Sequence, residues 1–200
     1  MKLAILMGGM GKRIGMEKAE IRLCGRRLIE IAVEKFSEYD PVFVCRDEFQ
    51  ASRYAKEFGL KFVSDFYPGY GVLAGIHSAI KHNGDTVITA IDMPFVKKSL
   101  LEFLFEKGKQ IVCDALIPKH EFPEPLLAFY SKNAIYEIEE SIKRGERRII
   151  SPLSRLRTVY FPAEELRKFD KHLISFFNIN TVDDLKKAEE LCSEIFTEEL

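Results

Sequence analysis

No stretch of this 200-residue chain approaches the roughly eighteen consecutive apolar residues of a membrane-spanning helix. The N-terminal segment has a single lysine before a very short apolar run, Leu3 to Met7, and lacks the length of a signal-peptide core. Excess charge of either sign is also missing: 30 Lys and Arg face 31 Asp and Glu, a formal net charge of −1. That balance excludes the global basic field of nucleic-acid-binding proteins, so any anion site has to be local. Cysteine is scarce. Cys24, Cys45, Cys113 and Cys192 form no CxxC or similar metal spacing, and are expected as buried or incidental thiols of a reducing compartment. The four histidines, His77, His82, His120 and His172, show no ligand pattern, and no Ser-His-Asp or Cys-His arrangement presents itself. What remains by elimination is a soluble cytoplasmic protein with neither membrane nor nucleic acid as partner.

Composition is that of an ordinary globular domain, with 46% hydrophobic and 30% charged residues. The length suits one domain, read as residues 1–196 with 197–200 as a frayed terminus. Strand and helix patterns alternate. Leu3 to Met7 is an apolar run stopped by Gly8-Gly9, the pattern of a buried first strand. Leu28 to Phe36 has helical periodicity, Pro41 to Cys45 reads as a strand, and Phe49 to Phe58 as a helix ended by Gly59. Lys61 to Val63 is a short strand, Leu73 to Ile80 a helix, Thr86 to Ile91 a β-branched central strand, and Ser99 to Lys107 a helix. Further on, Ala115 to Pro118 and Leu126 to Tyr130 read as strands, and Asn133 to Lys143 and Thr181 to Ile195 as helices. Such alternation implies right-handed crossovers and a three-layer, doubly wound, mostly parallel α/β sheet.

Five places carry chemistry or its bland alternative. Leu6-Met-Gly-Gly-Met-Gly-Lys-Arg-Ile-Gly15, followed by Lys18, runs a strand into a glycine-rich loop bearing Lys12, Arg13 and Lys18. Glycines let backbone N–H groups close on a phosphate and the cations balance its charge, but a tight surface turn with solvated lysines has the same composition. The loop fits neither Walker A nor GxGxxG spacing. Asp92, at the end of the Thr86–Ile91 strand, stands where open α/β sheets bind ligands and where a carboxylate can hold Mg²⁺ against phosphates; a turn aspartate before Pro94 is the rival. Asp65 follows a strand and can accept hydrogen bonds from a ribose or base, or form an ordinary Asx turn. Thr181 with Asp184 resembles a capping box, leaving Asn178 and Asn180 free to face a cleft. Lys143-Arg-Gly-Glu-Arg147-Arg148, with Arg155 and Arg157, is a solvated helix end or a patch for an acidic substrate.

Taken in order, these pieces resemble a known family. LMGGMGKRIGMEK is similar to the LAGGxSxRMGxDK signature of nucleotidyltransferases. GVLAGI, IDMPF, EPLLAFY, GERRI and NINTVDDL resemble the molybdenum cofactor guanylyltransferase branch, from Leu3 to about Leu191. The resemblance implies a Rossmann-like fold and transfer of GMP from GTP to molybdopterin, with Mg²⁺ as cofactor. It implies GTP contacts at Leu6, Met7, Gly8, Gly9, Arg13, Lys18, Asp65, Gly75 and Asp92, of which Arg13, Lys18 and Asp92 carry catalysis and Asp92 binds the metal. Asn178, Asn180, Arg147 and Arg148 fall on the pterin side, and molybdoenzyme apoproteins or other cofactor-synthesis proteins are the implied partners. The chain departs from the family at Met7, Glu17, Cys45, Val72 and Val182. Alternatives are a CTP-dependent sister enzyme, whose loop resembles LAAG rather than Leu6-Met-Gly-Gly9, another small-molecule nucleotidyltransferase, and a non-catalytic nucleotide or cofactor carrier.

Overall fold

The computed structural model describes residues 1–8, 10–11 and 15–198, with side chains for 1–8 and 15–192. Seven strands make the main sheet: β1 (Leu3–Gly8), β2 (Val42–Cys45), β3 (Phe62–Ser64), β4 (Thr86–Ala90), β5 (Ala115–Lys119), β6 (Ala128–Tyr130) and β7 (Thr158–Pro162). Their order across the sheet is β7-β5-β6-β4-β1-β2-β3. All pairings are parallel except those of β6, which runs antiparallel to both β4 and β5. The helices are α1 (Leu28–Phe36), α2 (Glu48–Phe58), α3 (Val72–Asn83), α4 (Lys98–Gln110), α5 (Ala134–Lys143), α6 (Ile150–Leu153) and α7 (Val182–Glu198).

Strand β1 lies in the middle, and its alternation divides the core. Leu3, Ile5 and Met7 pack with Leu28 and Ile29 of α1, Tyr54 of α2, Leu100, Leu101 and Leu104 of α4, and Ala188 of α7. Ala4 and Leu6 pack on the other face with Leu73, Ile76 and Ile80 of α3 and Ile138 and Ile142 of α5. Both faces of β1 are buried, which is why it reads as an unbroken apolar run. The three layers expected from the sequence are therefore present. Among the described residues no helix is long and apolar enough to cross a membrane.

Local signals explain the helix ends. Gly59 closes α2 in the left-handed region at φ 67°, its N–H bonded to Ala55 O. At the start of α7, Asp184 N–H donates to Thr181 Oγ1 at 3.1 Å and Thr181 N–H to Asp184 Oδ2 at 2.9 Å, a reciprocal capping box. Helix α7 runs on to Glu198, so residues 197 and 198 of the expected frayed end are helical, while 199–200 lie outside the described residues.

Three expectations are revised. Cys45 and Cys113 are buried free thiols as expected, but Cys24 and Cys192 are paired as a disulfide across 168 positions, with Cα atoms 6.7 Å apart. The pairing comes from α7 folding back on the short ribbon Arg22–Leu23/Arg26–Arg27, a contact that spacing does not reveal. Strand β7 is added at the sheet edge, where its residues are half-buried or exposed. Most of the basic stretch is neutralised internally. Arg144 and Arg155 pair with Glu137 and Glu146, Lys143 with Glu140, and Arg157 with Asp114. His77 is buried, with Nε2 2.9 Å from Glu139 Oε1 and Nδ1 without a hydrogen-bond partner among the described residues.

Candidate active site

Four parallel strands, β1, β2, β3 and β4, end on the same side of the sheet, and the residues just past their ends enclose a cavity of about 380 Å³. Gly8 ends β1, Arg46 follows β2, Asp65 follows β3 and Asp92 follows β4; all four line the cavity. Ligands of open α/β sheets gather at this carboxyl edge because helix starts and strand ends leave backbone groups and loop side chains facing one crevice.

The cavity's charged centre is built from three segments. Lys18 Nζ contacts Asp92 Oδ2 and lies 2.9 Å from Asn180 Oδ1. Gly8 ends β1 at φ 65°, the left-handed region that glycine enters without steric cost, and Lys18 Cδ lies 3.6 Å from where a Gly8 Cβ would stand. Asp92 is 4% exposed and is the second central residue of the turn that follows β4, in which Met93 N–H donates to Ala90 O. The segment of residues 178–180 is docked on it by the Ile179 N–H, which donates to Asp92 O at 2.9 Å. Ile179 is fully buried, so the two asparagines flanking it are held at the surface of the core rather than left to a free loop. Asn178 donates its amide to Phe176 O at 3.1 Å.

Asp65 closes the far wall. Its N–H donates to Cys45 O at 2.9 Å, fixing the strand end. Its Oδ1 is buried and has no hydrogen-bond partner among the described residues. Burial pushes the carboxyl up to about 7, opposed by a hydrogen bond with Ser78. A buried carboxylate oxygen without a donor at a cavity wall is the group a ligand hydroxyl or N–H would satisfy.

Of the residues singled out in the sequence, Leu6, Gly8, Lys18, Asp65 and Asp92 line the cavity, and Asn180 joins them through Lys18. Met7 and Gly75 do not line it. The Met7 side chain is fully buried among α1, α2 and α4, so only its backbone faces the loop. Gly75 is buried in α3, where an added Cβ would stand 3.1 Å from Leu6 Cδ1, so the absence of a side chain lets α3 pack closely on β1. Gly9 and Arg13 lie outside the described residues. Arg147 and Arg148 are exposed, with the Arg147 guanidinium 5.7 Å from the ring centre of Tyr70, beside the cavity-lining Gly69 and Gly71. Arg46 was not anticipated. It lines the cavity while bonding Asp47 at 2.7 Å and Glu17 at 3.2 Å, and the available signal was its place immediately after β2.

The raised carboxyl of Asp65 gives a pH dependence with a definite sign. If the ionised form accepts a nucleoside hydroxyl, nucleotide affinity should rise from pH 6 to pH 8 by up to about tenfold, as the carboxylate fraction climbs from about one-tenth to about nine-tenths. Folding stability should move the other way. The unfolded chain releases this proton near pH 4 and the folded protein near 7, so stability falls as pH rises through that window. Asp65→Asn should flatten both slopes in calorimetry and in denaturant titrations; slopes unchanged in the variant would assign them to another group.

The chain resembles known proteins over nearly its whole length. The model of the MobA-like NTP transferase domain matches residues 3–159. A protein of Methanosarcina mazei named probable molybdenum cofactor guanylyltransferase is 34% identical, covering 91% of this chain and 87% of its own. A protein of the same name from Peptoclostridium acidaminophilum is 31% identical, over 95% of this chain and 89% of its own. The crystal structure of molybdopterin-guanine dinucleotide biosynthesis protein A from Archaeoglobus fulgidus superposes with a TM-score of 0.95 at 57% identity, over 97% of this chain and 100% of that one. The chain belongs to the MobA-like NTP transferase domain family.

Proposed function

We propose that this protein transfers GMP from GTP to the terminal phosphate of the molybdopterin cofactor, giving the guanine dinucleotide cofactor and pyrophosphate. The observation that carries the reading is the meeting of Lys18, Asp92 and Asn180 at the mouth of a cavity on the carboxyl edge of the sheet. The names of the relatives in Methanosarcina mazei and Archaeoglobus fulgidus support the same substrate pair.

The chemistry asks little of proton transfer. A phosphate monoester has a second pKa near 6, so the attacking phosphate oxygen is already largely ionised at neutral pH. That oxygen bonds to the α-phosphorus of GTP, the bond from the α-phosphorus to the bridging oxygen breaks, and pyrophosphate leaves with the electron pair. The barrier is charge: two polyanions have to approach and negative charge builds on the leaving group. Lys18 stands on the cavity wall to meet that charge, Arg13 is assigned the same task on the glycine loop, and Asn180, bound to the Lys18 ammonium, couples the acceptor side to it. In this reading GTP takes the cavity wall from Leu6 and Gly8 to Asp65, and the pterin lies toward Asn178 and Asn180, with Arg147 and Arg148 available to its anionic groups.

Mg²⁺ fits the donor set. Asp92 Oδ2 and Asn180 Oδ1 are hard oxygen donors that already converge on one cationic group, the Lys18 ammonium. Asp92 would hold the ion through its carboxylate, and the ion would supply charge neutralisation on the triphosphate. Molybdoenzyme apoproteins or other cofactor-synthesis proteins would take the product onward, within the cytoplasm.

The base assignment has its own test. Gly8 brings bare backbone to the cavity, so donors and acceptors there can meet a guanine edge, and a base that leaves them unpaired is penalised. In competition calorimetry GTP should displace bound nucleotide at concentrations at least tenfold lower than CTP. Equal competition by CTP would overturn the guanine assignment and leave the enzyme class standing.

A further inference from the structure

Lys18 is delivered to the cavity by a very short piece of chain. The ribbon Met10–Gly11/Met16–Glu17 ends at Glu17, and one 3₁₀ turn, Lys18–Glu20, follows, closed by the Ile21 N–H donating to Lys18 O at 3.2 Å. A single turn of this kind has little hydrogen bonding of its own, so its direction depends on what holds its side chains. Ala19 and Ile21 are fully buried and seat it on the core. Lys18 leaves toward Asp92 and Asn180. Glu17 and Glu20, the carboxylates that bracket the lysine, leave toward α2.

The two carboxylates converge on Tyr54 and Arg53. The Tyr54 hydroxyl donates to Glu20 Oε1 at 2.7 Å and lies 3.3 Å from Glu17 Oε2. The Arg53 guanidinium lies 3.0 Å from Glu20 and 3.5 Å from Glu17. Arg46 Nη2 donates to Glu17 Oε1 at 3.2 Å, and Arg27 stands 3.5 Å from Glu20 Oε2. Tyr54 is fully buried, with its ring beside those of Phe58 and Phe62, so its hydroxyl is a fixed point where the exposed Arg53 is not. Burial and the bond to Glu20 raise the pKa of that hydroxyl above the ordinary tyrosine range, so it stays a donor.

This arrangement separates charge. Of residues 17–20 only Lys18 lines the cavity. A carboxylate left loose beside it could fold onto the ammonium or stand against the triphosphate, and either would weaken a site that has to gather anions.

We propose that Tyr54 is a positioning residue for Lys18: its hydroxyl holds Glu20, with Glu17 alongside, against α2, and so aims the ammonium between them into the cavity. The inference rests on the reading of Lys18 as a ligand of the triphosphate.

Calorimetry with GTP and Mg²⁺, paired with thermal melts, tests this in Y54F, E20A, E20Q, K18A and the double variant Y54F/K18A. Y54F keeps the ring and removes only the hydroxyl, and should raise the Kd for GTP about three- to tenfold, the scale of one hydrogen bond. E20A should weaken GTP binding to a similar degree, although removing a negative charge near the site would on electrostatics alone tighten it. E20Q loses the same charge but keeps an oxygen for the hydroxyl, and should stay within about twofold of wild type. Y54F/K18A should bind GTP no more weakly than K18A, because residues that act through one group are not additive. A tyrosine that serves only the fold predicts a lower melting temperature in Y54F with the Kd for GTP unchanged, and that result would overturn the inference. Losses that add in the double variant, or tighter GTP binding in E20A, would overturn it too. The Lys18 Nζ resonance in ¹⁵N-lysine-labelled protein, read through the ε-methylene protons, reports the same positioning without nucleotide. It should move in Y54F and E20A and stay near its wild-type place in E20Q. GTP affinity unchanged in K18A, with that resonance moved in Y54F, would sink the triphosphate reading and leave the positioning standing; a resonance unmoved in Y54F would sink the positioning itself.

Discussion

Asp92→Asn should reduce turnover by about 10²–10³-fold while leaving the fold intact. The carboxylate is 4% exposed at the end of β4 and lies against Lys18 Nζ. Asparagine keeps the shape of the side chain and its fitness for the turn before Pro94. The docking of the 178–180 segment uses the Asp92 backbone carbonyl, which the substitution does not touch. What asparagine removes is the negative charge, and with it the means of holding a cation against the triphosphate. Pyrophosphate release at saturating GTP and molybdopterin, followed across a Mg²⁺ titration, separates two roles. A metal ligand predicts collapse of turnover with a raised Mg²⁺ requirement. A carboxylate that only holds Lys18 in place predicts weaker GTP binding with an unchanged Mg²⁺ requirement. Near wild-type turnover at low Mg²⁺ would remove Asp92 from the centre altogether.

Lys18→Ala should weaken GTP binding about tenfold or more, in line with roughly 1.5–3 kcal/mol for a lost charge-assisted contact. The same change leaves the Asp92 carboxylate, almost wholly inaccessible, without its ammonium partner. Removing one member of a buried pair costs more than removing both, because the remaining charge is left uncompensated. The free variant should therefore melt at a lower temperature than wild type, and lower than Asp92→Asn. Added Mg²⁺ should recover part of the loss by replacing the ammonium. Calorimetry with GTP and thermal melts with and without Mg²⁺ measure both effects. Unchanged GTP affinity would reduce Lys18 to a structural partner of Asp92.

The central part of the fold was legible because its signals are local. An apolar run closed by glycines marks β1, and β-branched residues mark β4. Gly59 and the Thr181–Asp184 box mark helix ends that depend only on neighbouring backbone. The less legible elements depend on partners remote in sequence. Strand β7 is an edge strand whose residues are mostly half-buried or exposed, so it lacks the apolar run of an interior strand. The direction of β6 follows from the reversal at Pro118–Leu127, which a period-2 pattern does not encode. Arg155 and Arg157 read as part of a solvated helix end or an anion patch, and their pairing with Glu137, Glu146 and Asp114 depends on segments that spacing does not connect.

The site divides along the same line. Lys18, Asp65 and Asp92 each follow a recognisable strand or glycine loop, and all three line the cavity. That Asn180 meets Lys18, 162 positions away, follows from no spacing rule, and the resemblance assigned the two residues to different substrates. Gly75 sits in a motif that reads as ligand-binding, and its packing against Leu6 was not legible from that motif. Arg46 was missed because it follows a strand without a glycine loop.

The proposed reaction is tested most directly by incubating the protein with molybdopterin, Mg²⁺ and each of the four ribonucleoside triphosphates in turn, and weighing the products by mass spectrometry. The expected product is the guanine dinucleotide cofactor, formed with one pyrophosphate per GTP and dependent on Asp92. A cytosine dinucleotide in its place would keep the transfer chemistry and reject the guanine assignment. No dinucleotide from any triphosphate, by folded protein that binds GTP, would contradict the transferase reading and leave a nucleotide-binding protein.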